Sequence, residues 1–217
     1  TNLNYMESKK NKPSMKILKP FGPSVLQMTI PDETLIKLNQ YVDEIINDKD
    51  KLKKLDHGSD LAGNVNQEFF LETEFMKSIK WAEFLASACS EWLKHEQNKQ
   101  LSNFQITKSW IVRQFKHEYN PIHWHSGHIS GVGYLKVPNS FGKTYQENKT
   151  NNNGKLVLVN GSRNLFSQST YIIKPKVGDF YMFPSYLMHT VYPFYDTDEE
   201  RRSISFNARL DENASSF

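Results

Sequence analysis

The second half of the chain consists of short apolar segments separated by turn residues, and this pattern constrains the fold more than any other. The segments are residues 106–115, 131–137, 156–159, 171–173, 179–183 and 203–210. Short strands at regular spacing, with polar turns between them, are typical of antiparallel barrels and jelly rolls. We therefore predict a β-rich core over residues 104–210, with residues 150–154 as a polar, asparagine-rich loop.

The first half of the chain predicts one strand followed by helices. Residues 25–30 are apolar, and Pro31 with the two acidic residues after it favours the start of a helix at that point. The apolar residues of this helix recur at helical spacing and are Leu35, Leu38, Val42 and Ile45. Residues 51–66 are polar and contain two glycines, so they predict a loop.

A second helix is predicted over residues 73–96, with one buried face. Its apolar positions are Ile79, Ala82, Ala86, Cys89 and Leu93, and the face is widened by Trp81, Phe84 and Trp92. A helix with such a face packs against a sheet. We therefore expect a single domain over residues 1–217, of class α+β and mainly β. Residues 1–103 would buttress the β-rich core.

Charge and cysteine content exclude several classes of function. The 217 residues include 27 basic and 24 acidic ones, and a net charge of +3 gives no indication of nucleic-acid binding. A single cysteine, Cys89, rules out an intramolecular disulfide and suits a reducing cytoplasm. No long apolar run or signal-peptide pattern is present, so no membrane association is expected. The polar first dozen residues are expected to be poorly ordered.

Four of the seven histidines occur in two places that could share a metal ion. Three lie in the run His123-Trp124-His125-Ser126-Gly127-His128, and the fourth is His189. Alternate residues on a strand point to one face, so His123 and His125 would aim in the same direction. A third histidine from a neighbouring antiparallel strand would complete a facial metal site with open positions, as in non-haem Fe(II) oxygenases.

Each histidine also has an ordinary explanation. A lone histidine is most often a surface residue or a hydrogen-bonded core residue, and a pair with one residue between them is a weak metal signal by itself. Arg201 follows His189 by twelve positions and could bind an anion beside the metal. This combination, in a β-rich context, favours the metal site. His57, His95 and His117 have no such context and are predicted to lie on the surface.

Three ordered motifs show a resemblance to a known family. They are Asn120-Pro121-Ile122-His123-Trp124-His125 followed by Ser130-Gly131-Val132-Gly133-Tyr134, then Gly178-Asp179-Phe180-Tyr181-Met182-Phe183-Pro184-Ser185 leading to His189, and finally Arg201-Arg202-Ser203-Ile204-Ser205-Phe206-Asn207. With these motifs, residues 109–207 resemble the 2-oxoglutarate/Fe(II)-dependent oxygenases. The resemblance is closest to a subgroup that is common in bacteria and phages and related to prolyl hydroxylases.

The resemblance implies a double-stranded β-helix (jelly roll) and a role for each matched residue. His123 would be the first metal ligand and His189 the distal one, while Arg201 would bind the distal carboxylate of 2-oxoglutarate. Ser203 lies on the same strand face as Arg201 and could donate to that carboxylate. Arg202 would point the other way, and Tyr134 could either reach the co-substrate or serve as a core aromatic. The implied cofactor and co-substrates are Fe(II), 2-oxoglutarate and O2.

The motif departs from most of the superfamily at His125, where an aspartate or glutamate is usual. Three neutral imidazoles would leave the site one charge unit more positive than two imidazoles and a carboxylate. His125 could coordinate as a third ligand, or His128 could approach after the Ser126-Gly127 turn. We favour His123, His125 and His189 as ligands. His128, Trp124 and Asn120, and as a further possibility Arg202, would then lie beside the metal or in the substrate pocket.

The resemblance implies a dioxygenase that hydroxylates an unactivated C–H bond while 2-oxoglutarate is converted to succinate and carbon dioxide. A prolyl or other residue in a protein or peptide is one expected substrate, and a small molecule is another. The loops at residues 140–154 and 192–200 are expected to flank the mouth of the site. The alternatives are a cupin-type three-histidine enzyme that does not use 2-oxoglutarate, and a non-catalytic jelly-roll binding protein. The sequence does not predict an oligomeric state.

Overall fold

The computed structural model describes residues 15–19, 22–144, 146 and 148–211. Within that part, the helices are α1 (Asp32–Asn47), α2 (Lys49–Leu55), α3 (Thr73–Ser78) and α4 (Trp81–Gln97), with a short 3-10 turn at Gly58–Asp60. The strands are β1 (Met15–Leu18), β2 (Val25–Thr29), β3 (Gln67–Phe70), β4 (Phe104–Gln114), β5 (Asn120–His123), β6 (Ile129–Lys136), β7 (Leu156–Val159), β8 (Thr170–Ile173), β9 (Asp179–Pro184), β10 (Met188–Val191) and β11 (Arg201–Leu210). The expectation about the first dozen residues lies outside the described part.

The strands form two antiparallel sheets that face each other. The larger has the order β1-β2-β9-β6-β11-β4-β3, and the smaller has the order β5-β10-β7-β8. Apolar side chains from both sheets form one buried layer between them. Val25, Tyr134 and Phe183 come from the larger sheet, and Leu158 and Val191 come from the smaller. This is the predicted jelly roll, and the α+β, mainly β class is confirmed.

Strand β11 lies near the centre of the larger sheet and sends its side chains alternately to two environments. Ile204, Phe206 and Ala208 join the core on the helical side of the sheet. Arg201, Ser203, Ser205 and Asn207 instead line a pocket between the two sheets. Because the side-chain period of a strand is two residues, this one strand supplies both apolar packing for the helices and polar groups for the pocket.

The helices cover the outer face of the larger sheet, as predicted. Leu38, Val42 and Ile45 of α1 are fully buried there. The indole of Trp81, at the start of α4, is also fully buried, and it packs edge-on against Phe180 with ring centroids 5.6 Å apart. Its Nε1 donates a hydrogen bond to Ser109 Oγ at 3.2 Å, so the only polar atom of this side chain is satisfied. No helix in the described part of the chain is long and apolar enough to cross a membrane.

Two predictions of helical structure were wrong in detail. The predicted loop at residues 51–66 contains the end of α2, which has no buried residue and therefore no apolar periodicity. Asp48 initiates this helix by accepting hydrogen bonds from the backbone N–H groups of Asp50 and Lys51. The predicted helix over residues 73–96 is two helices, because Lys80 adopts a left-handed conformation with φ of 53°. The turn there separates α3 from the helix that carries Trp81.

Four short strands lie outside the apolar segments from which the core was predicted, and they are β1, β3, β5 and β10. The sequence indicated β5 and β10 only through their histidines, and it did not indicate β1 or β3. Strands β3, β5 and β10 matter most for function, because they border the pocket between the sheets. A four-residue strand offers few positions at which an alternating pattern can stand out. The single-domain organisation over residues 1–217 stays a prediction.

Candidate metal centre

Strand pairing brings two of the predicted histidines side by side. His123 is the last residue of β5 and lies directly opposite His189 of β10 in the antiparallel register. His125 lies two residues beyond the end of β5, so the expectation of both histidines on one regular strand is wrong. The backbone N–H of His125 donates to Ser185 O at 2.9 Å, and this bond positions the residue. The imidazole of His125 nevertheless joins the other two.

The three imidazoles form a compact cluster with the spacing of metal ligands. One nitrogen from each of His123, His125 and His189 lies within 4.8 Å of the others. The Nε2 atoms of His125 and His189 are 3.2 Å apart. Imidazole nitrogens bind a first-row metal at roughly 2.1 Å, so two ligands at right angles lie roughly 3 Å from each other. The observed separation therefore fits two neighbouring ligands of one ion.

Backbone carbonyls set the tautomers of two of these histidines. The Nδ1 atom of His123 lies 2.6 Å from Pro121 O, and that of His189 lies 2.8 Å from Leu187 O. A carbonyl oxygen can only accept, so each Nδ1 carries the hydrogen and each Nε2 keeps its lone pair. Both Nε2 atoms are thus prepared to coordinate a metal.

Burial keeps the cluster neutral at physiological pH. It lowers the pKa of His125 to about 3, with help from the nearby His189, and the pKa of His189 to about 4. The pKa of His123 is also lowered by burial, although its hydrogen bond to Pro121 opposes the change. Since only neutral imidazole binds a metal, the three ligands need not lose a proton first.

Arg201 lines the same pocket and has hydrogen-bonding capacity to spare. Its side chain is fully buried, and Nε and Nη2 have no partner in the part of the chain that the structure describes. Its guanidinium carbon lies 5.1 Å from the centre of the Tyr134 ring. Burial lowers the pKa of Arg201, but a guanidinium remains charged near neutrality. A buried cation with two unused donors is costly unless an anion binds it, and a carboxylate fits this fork.

The neighbouring Arg202 has no such capacity. Its guanidinium donates to both carboxylate oxygens of Glu200, at 2.8 and 3.0 Å, and to Asp43 and Asn39 of α1. It thus faces the helical side of the sheet, as strand parity predicts. The idea that Arg202 borders the metal site is incorrect, because its hydrogen bonds hold it on the opposite face.

The remaining predicted residues divide into those that border the pocket and those that do not. Ser203, Asn120 and Trp124 line it. Tyr134 is fully buried behind Arg201, and its hydroxyl has no partner among the described residues. His128 lies elsewhere, since its Nδ1 accepts the backbone N–H of Leu210 at 2.9 Å and its side chain borders a separate groove. The turn at Ser126-Gly127 carries it away from the metal cluster.

The pocket also contains residues that the sequence did not indicate. Glu68 of β3, Lys108 of β4 and Asp60 line it, together with Leu61 and Ala62. The loops that were expected to flank the mouth of the pocket do not line it, since no described residue of 140–154 or 192–200 belongs to the pocket lining. The reason is that β3 extends the larger sheet beside β4 and brings the 58–62 segment to the opening. The one sequence feature that could have indicated that β3 lines the pocket is the acidic residue in the otherwise strand-like Gln67-Glu68-Phe69-Phe70.

Comparison with known proteins agrees with this geometry. Residues 108–207, just under half of the chain, match the protein family described as "Putative 2OG-Fe(II) oxygenase". The matched segment runs from β4 into β11 and contains the three histidines and Arg201. No curated protein sequence matches the chain.

Several solved structures share the fold at low sequence identity. A prolyl-4-hydroxylase from Pseudomonas putida superposes with a TM-score of 0.55 and 14% identity, covering 85% of this chain and 92% of that one. HygX from Streptomyces hygroscopicus, solved with nickel and 2-oxoglutarate, has a TM-score of 0.53 and 10% identity, with 85% and 81% covered. A prolyl hydroxylase from Trichoplax adhaerens, in complex with a hypoxia inducible factor peptide, has a TM-score of 0.51 and 14% identity, with 93% and 86% covered.

The family match and the shared fold therefore lead to the same conclusion. At these identities the structural likeness shows the double-stranded β-helix fold alone. Residues 108–207 match the family described as 2OG-Fe(II) oxygenases, enzymes that use Fe(II), 2-oxoglutarate and O2.

Proposed function

We propose that this oxygenase hydroxylates an unactivated C–H bond of a residue in a protein or peptide, with Fe(II) held by His123, His125 and His189. The observation that carries the proposal is the convergence of three imidazole nitrogens beside a buried arginine with unused donors. The histidines supply metal ligands, and the arginine supplies an anion-binding site. A metal enzyme that consumes 2-oxoglutarate needs both sites.

Each residue of the site has a defined task in this scheme. Fe(II), when bound with 2-oxoglutarate and O2, supplies the oxidising chemistry that breaks a C–H bond while 2-oxoglutarate becomes succinate and carbon dioxide. Arg201 binds the distal carboxylate of 2-oxoglutarate through its planar fork of donors. Ser203 lies two residues along the same face of β11, and its hydroxyl donates to that carboxylate. Tyr134 packs behind the guanidinium and limits its movement.

The site differs from the usual pattern in having no carboxylate among its three candidate ligands. Three neutral imidazoles leave the bound metal one unit more positive than two imidazoles and a carboxylate. The indole of Trp110 packs edge-on against His125, with ring centroids 5.5 Å apart. We propose that His125 coordinates as the third ligand and that Trp110 restrains its ring in the coordinating orientation.

Apolar side chains keep water away from the reacting centre. Trp110, Val112, Leu156, Phe183 and Val191 line the pocket, and all are buried. A dry wall protects the oxidising centre from side reactions and strengthens the electrostatic contacts of Arg201. Trp124 also lines the pocket, but its side chain is 62% exposed. It is better placed to contact a substrate than to exclude water.

A peptide substrate is supported by the surface around the pocket and by the similar structures. Ile122 lies on β5, at the edge of the smaller sheet, and Trp124 lies just beyond the end of that strand. Their side chains are 56% and 62% exposed. An exposed edge with apolar side chains suits an extended peptide. Two of the structures that share the fold are prolyl hydroxylases, and one of them is in complex with a peptide. A prolyl residue is accordingly one candidate target.

Two alternatives remain to be separated by experiment. A three-histidine enzyme of the cupin type would share the metal cluster but would have no use for Arg201. A non-catalytic jelly-roll protein would need neither. The unused donors of Arg201 favour the oxygenase over both.

The test is to measure metal binding, 2-oxoglutarate binding and succinate formation in the same protein. We expect the wild type to bind one Mn(II) per chain anaerobically, to bind 2-oxoglutarate in its presence, and to form succinate from it with Fe(II) and O2. His189→Ala should lose the bound metal, whereas the matched control His128→Ala should keep it. Metal binding without 2-oxoglutarate turnover would favour the cupin alternative, and absence of metal binding would refute the proposal.

A further inference from the structure

Glu68 is a buried carboxyl in the lining of the pocket, and one of its oxygens has no partner among the described residues. It lies on β3 and is only 2% exposed. In the sheet register it lies opposite Val112, which lines the same pocket. Its Oε2 is buried and has no hydrogen-bond partner among the residues that the structure describes. A buried carboxylate oxygen without a partner is costly, so its presence in a pocket points to a ligand.

In the part of the chain that the structure describes, Glu68 forms no ion pair with a basic residue, and the charged groups that act on it, Asp56 and Glu118, are both acidic. Burial, together with these two acidic groups, raises the pKa of Glu68 to about 7. Gly63 packs against the carboxylate, since an added Cβ there would lie 2.7 Å from it. Arg113, on the neighbouring strand opposite Gln67, already binds Glu200 and the side-chain oxygen of Gln67.

The other basic groups of the pocket serve different parts of it. Arg201 lies beside Tyr134 on β11, where the anionic co-substrate is proposed to bind. Lys108 packs its ammonium over the Phe70 ring at 5.6 Å and acts electrostatically on His125. Asp60 adds a second acidic residue to the pocket lining. The pocket thus has one region suited to an anion and another suited to a cation.

We propose that Glu68 binds a cationic group of the substrate, an ammonium or a guanidinium, so that the target is a basic side chain rather than a neutral one. This inference rests on the proposed oxygenase function and names the substrate class of that site. The cation would supply the partner that Oε2 lacks. It would also favour the ionised form of a carboxyl that its neighbours otherwise keep partly protonated. The anionic 2-oxoglutarate would be repelled from this region and directed to Arg201.

The test uses two pairs of short peptides that differ only in charge at one position. One pair carries arginine or its neutral isostere citrulline, and the other carries lysine or norleucine. Binding is measured by calorimetry on the metal-free protein and again with Mn(II) and 2-oxoglutarate present. We expect at least one basic peptide to bind ten-fold or more tightly than its neutral partner. Comparison of the two pairs shows whether the site prefers a guanidinium or an ammonium.

The variant Glu68→Gln has the same shape and removes the charge. We expect it to abolish the preference for the basic peptide, whereas Glu91→Gln, an exposed position on α4, should leave it intact. Circular dichroism confirms that each variant is folded. Equal binding within both peptide pairs, no binding of any peptide, or an unchanged preference in Glu68→Gln would overturn the inference. If the wild type still forms succinate in those cases, the oxygenase function stands; if it binds neither Mn(II) nor 2-oxoglutarate, that function itself fails.

Discussion

Two adjacent arginines show how a shift of one position along a strand changes what a side chain can bind. Arg201 and Arg202 are both buried. Nε and Nη2 of Arg201 find no partner among the described residues, whereas the guanidinium of Arg202 has a full set of partners. They differ because successive side chains on β11 point to opposite faces of the sheet. On the inner face a guanidinium can meet a ligand, and on the outer face it meets α1. The two residues are of the same type, so the difference between their roles follows from the face of the strand on which each lies.

The first prediction concerns co-substrate binding by Arg201. Arg201→Lys keeps the charge but loses the planar pair of donors that holds a carboxylate in two places. We expect the Kd for 2-oxoglutarate to rise by about 10-fold or more, which corresponds to about 1.4 kcal/mol. Titration of the Mn(II)-loaded protein measures this, with Mn(II) binding itself unchanged. Arg209→Lys, at an exposed position of the same strand, is the control. A Kd that stays at the wild-type value would show that the carboxylate is bound elsewhere.

The second prediction concerns the pH dependence of stability at Glu68. Its pKa is raised from 4.5 in the unfolded chain to about 7 in the folded one, so the folded protein keeps a proton that the unfolded chain releases. The contribution of Glu68 to the free energy of unfolding is therefore fully present below the lower pKa. It is lost as the pH rises through the upper pKa, by on the order of 3 kcal/mol. Glu68→Gln cannot ionise and should be more stable than the wild type at about pH 8.

Urea unfolding at about pH 5 and about pH 8 checks this expectation. The difference between the variant and the wild type should be small at the lower pH and should favour the variant at the higher. A variant that is less stable at both pH values would show that the carboxylate has a structural partner, and it would weaken the case for a ligand.

At the scale of elements, strand β6 depends on two glycines for its close packing. A Cβ at Gly131 would lie 2.5 Å from the Phe206 ring and 2.7 Å from the backbone oxygen of Tyr181. A Cβ at Gly133 would lie 2.4 Å from the Phe180 ring. The absence of side chains lets the aromatic rings lie directly against β6, between the sheet and the helices.

The third prediction follows from this packing. Gly131→Ala forces the Phe206 ring or the backbone of β9 to move, and overpacking of a dense core typically costs about 1 to 3 kcal/mol. We expect the free energy of unfolding in urea to fall by that amount. Gly58→Ala is the control, because its added methyl would meet only ordinary contact distances. Equal stability of the two variants would mean that the core adapts more easily than its spacing indicates.

The ends of β4 and β11 are joined by a buried ionic network. Glu200 accepts hydrogen bonds from Arg113 at 2.7 Å and from Arg202 at 2.8 Å, and Arg202 extends the network to Asp43 of α1. Burial alone would raise the pKa of Glu200, but its hydrogen bonds with the two arginines hold that pKa below the ordinary value. The network attaches the helical layer to the strand that carries Arg201.

The fourth prediction concerns this network. Glu200→Gln leaves the largely buried Arg113 without its counter-ion and leaves Arg202 with Asp43 alone. Loss of one partner of a buried ion pair typically destabilises a protein by about 3 to 5 kcal/mol. In the wild type, the contribution of Glu200 is present above the ordinary carboxyl pKa and is lost as the pH falls through the lowered one. Urea unfolding at neutral and acid pH measures both effects, and the exposed Glu83→Gln serves as control. A loss below about 1 kcal/mol would show that water replaces the carboxylate.

At the scale of the whole molecule, the helices, the larger sheet and the smaller sheet form three layers with different roles. The helices cover one face of the larger sheet with apolar side chains, and the smaller sheet covers part of the other face. The pocket lies between the sheets, where β11, β4, β5 and β10 present polar groups from opposite sides. Because the helices bury the outer face, the inner face is free to carry ionisable residues.

The fifth prediction tests whether the layers unfold together. Trp81 is fully buried between α4 and the larger sheet, so Trp81→Ala should lower the free energy of unfolding by about 3 to 5 kcal/mol. Ile36→Ala, at an exposed position of α1, should change it by less than about 0.5 kcal/mol. Unfolding followed by circular dichroism and by fluorescence should give the same transition midpoint. Separate midpoints would show that the helical layer unfolds independently of the sheets.

The sequence indicated the metal cluster because its residues lie in recognisable local motifs. His123 and His125 are two residues apart, and His189 follows a run of apolar residues that forms β9. The jelly roll was likewise predictable from the spacing of apolar segments, and several strand limits agree to within two residues. Glu68 could not be found in the same way, because it enters the pocket only through the pairing of a short strand with β4.

The sequence by itself indicated the type of fold, the grouping of the histidines and the opposite directions of Arg201 and Arg202. These depend on local periodicity and residue type, which are readable along the chain. The tertiary structure alone decided that His125 joins the cluster from outside a strand, that His128 turns away, and that Glu68 rather than the 140–154 loop lines the pocket. Those outcomes depend on which distant strands pair and on the register of pairing, and no local pattern records either.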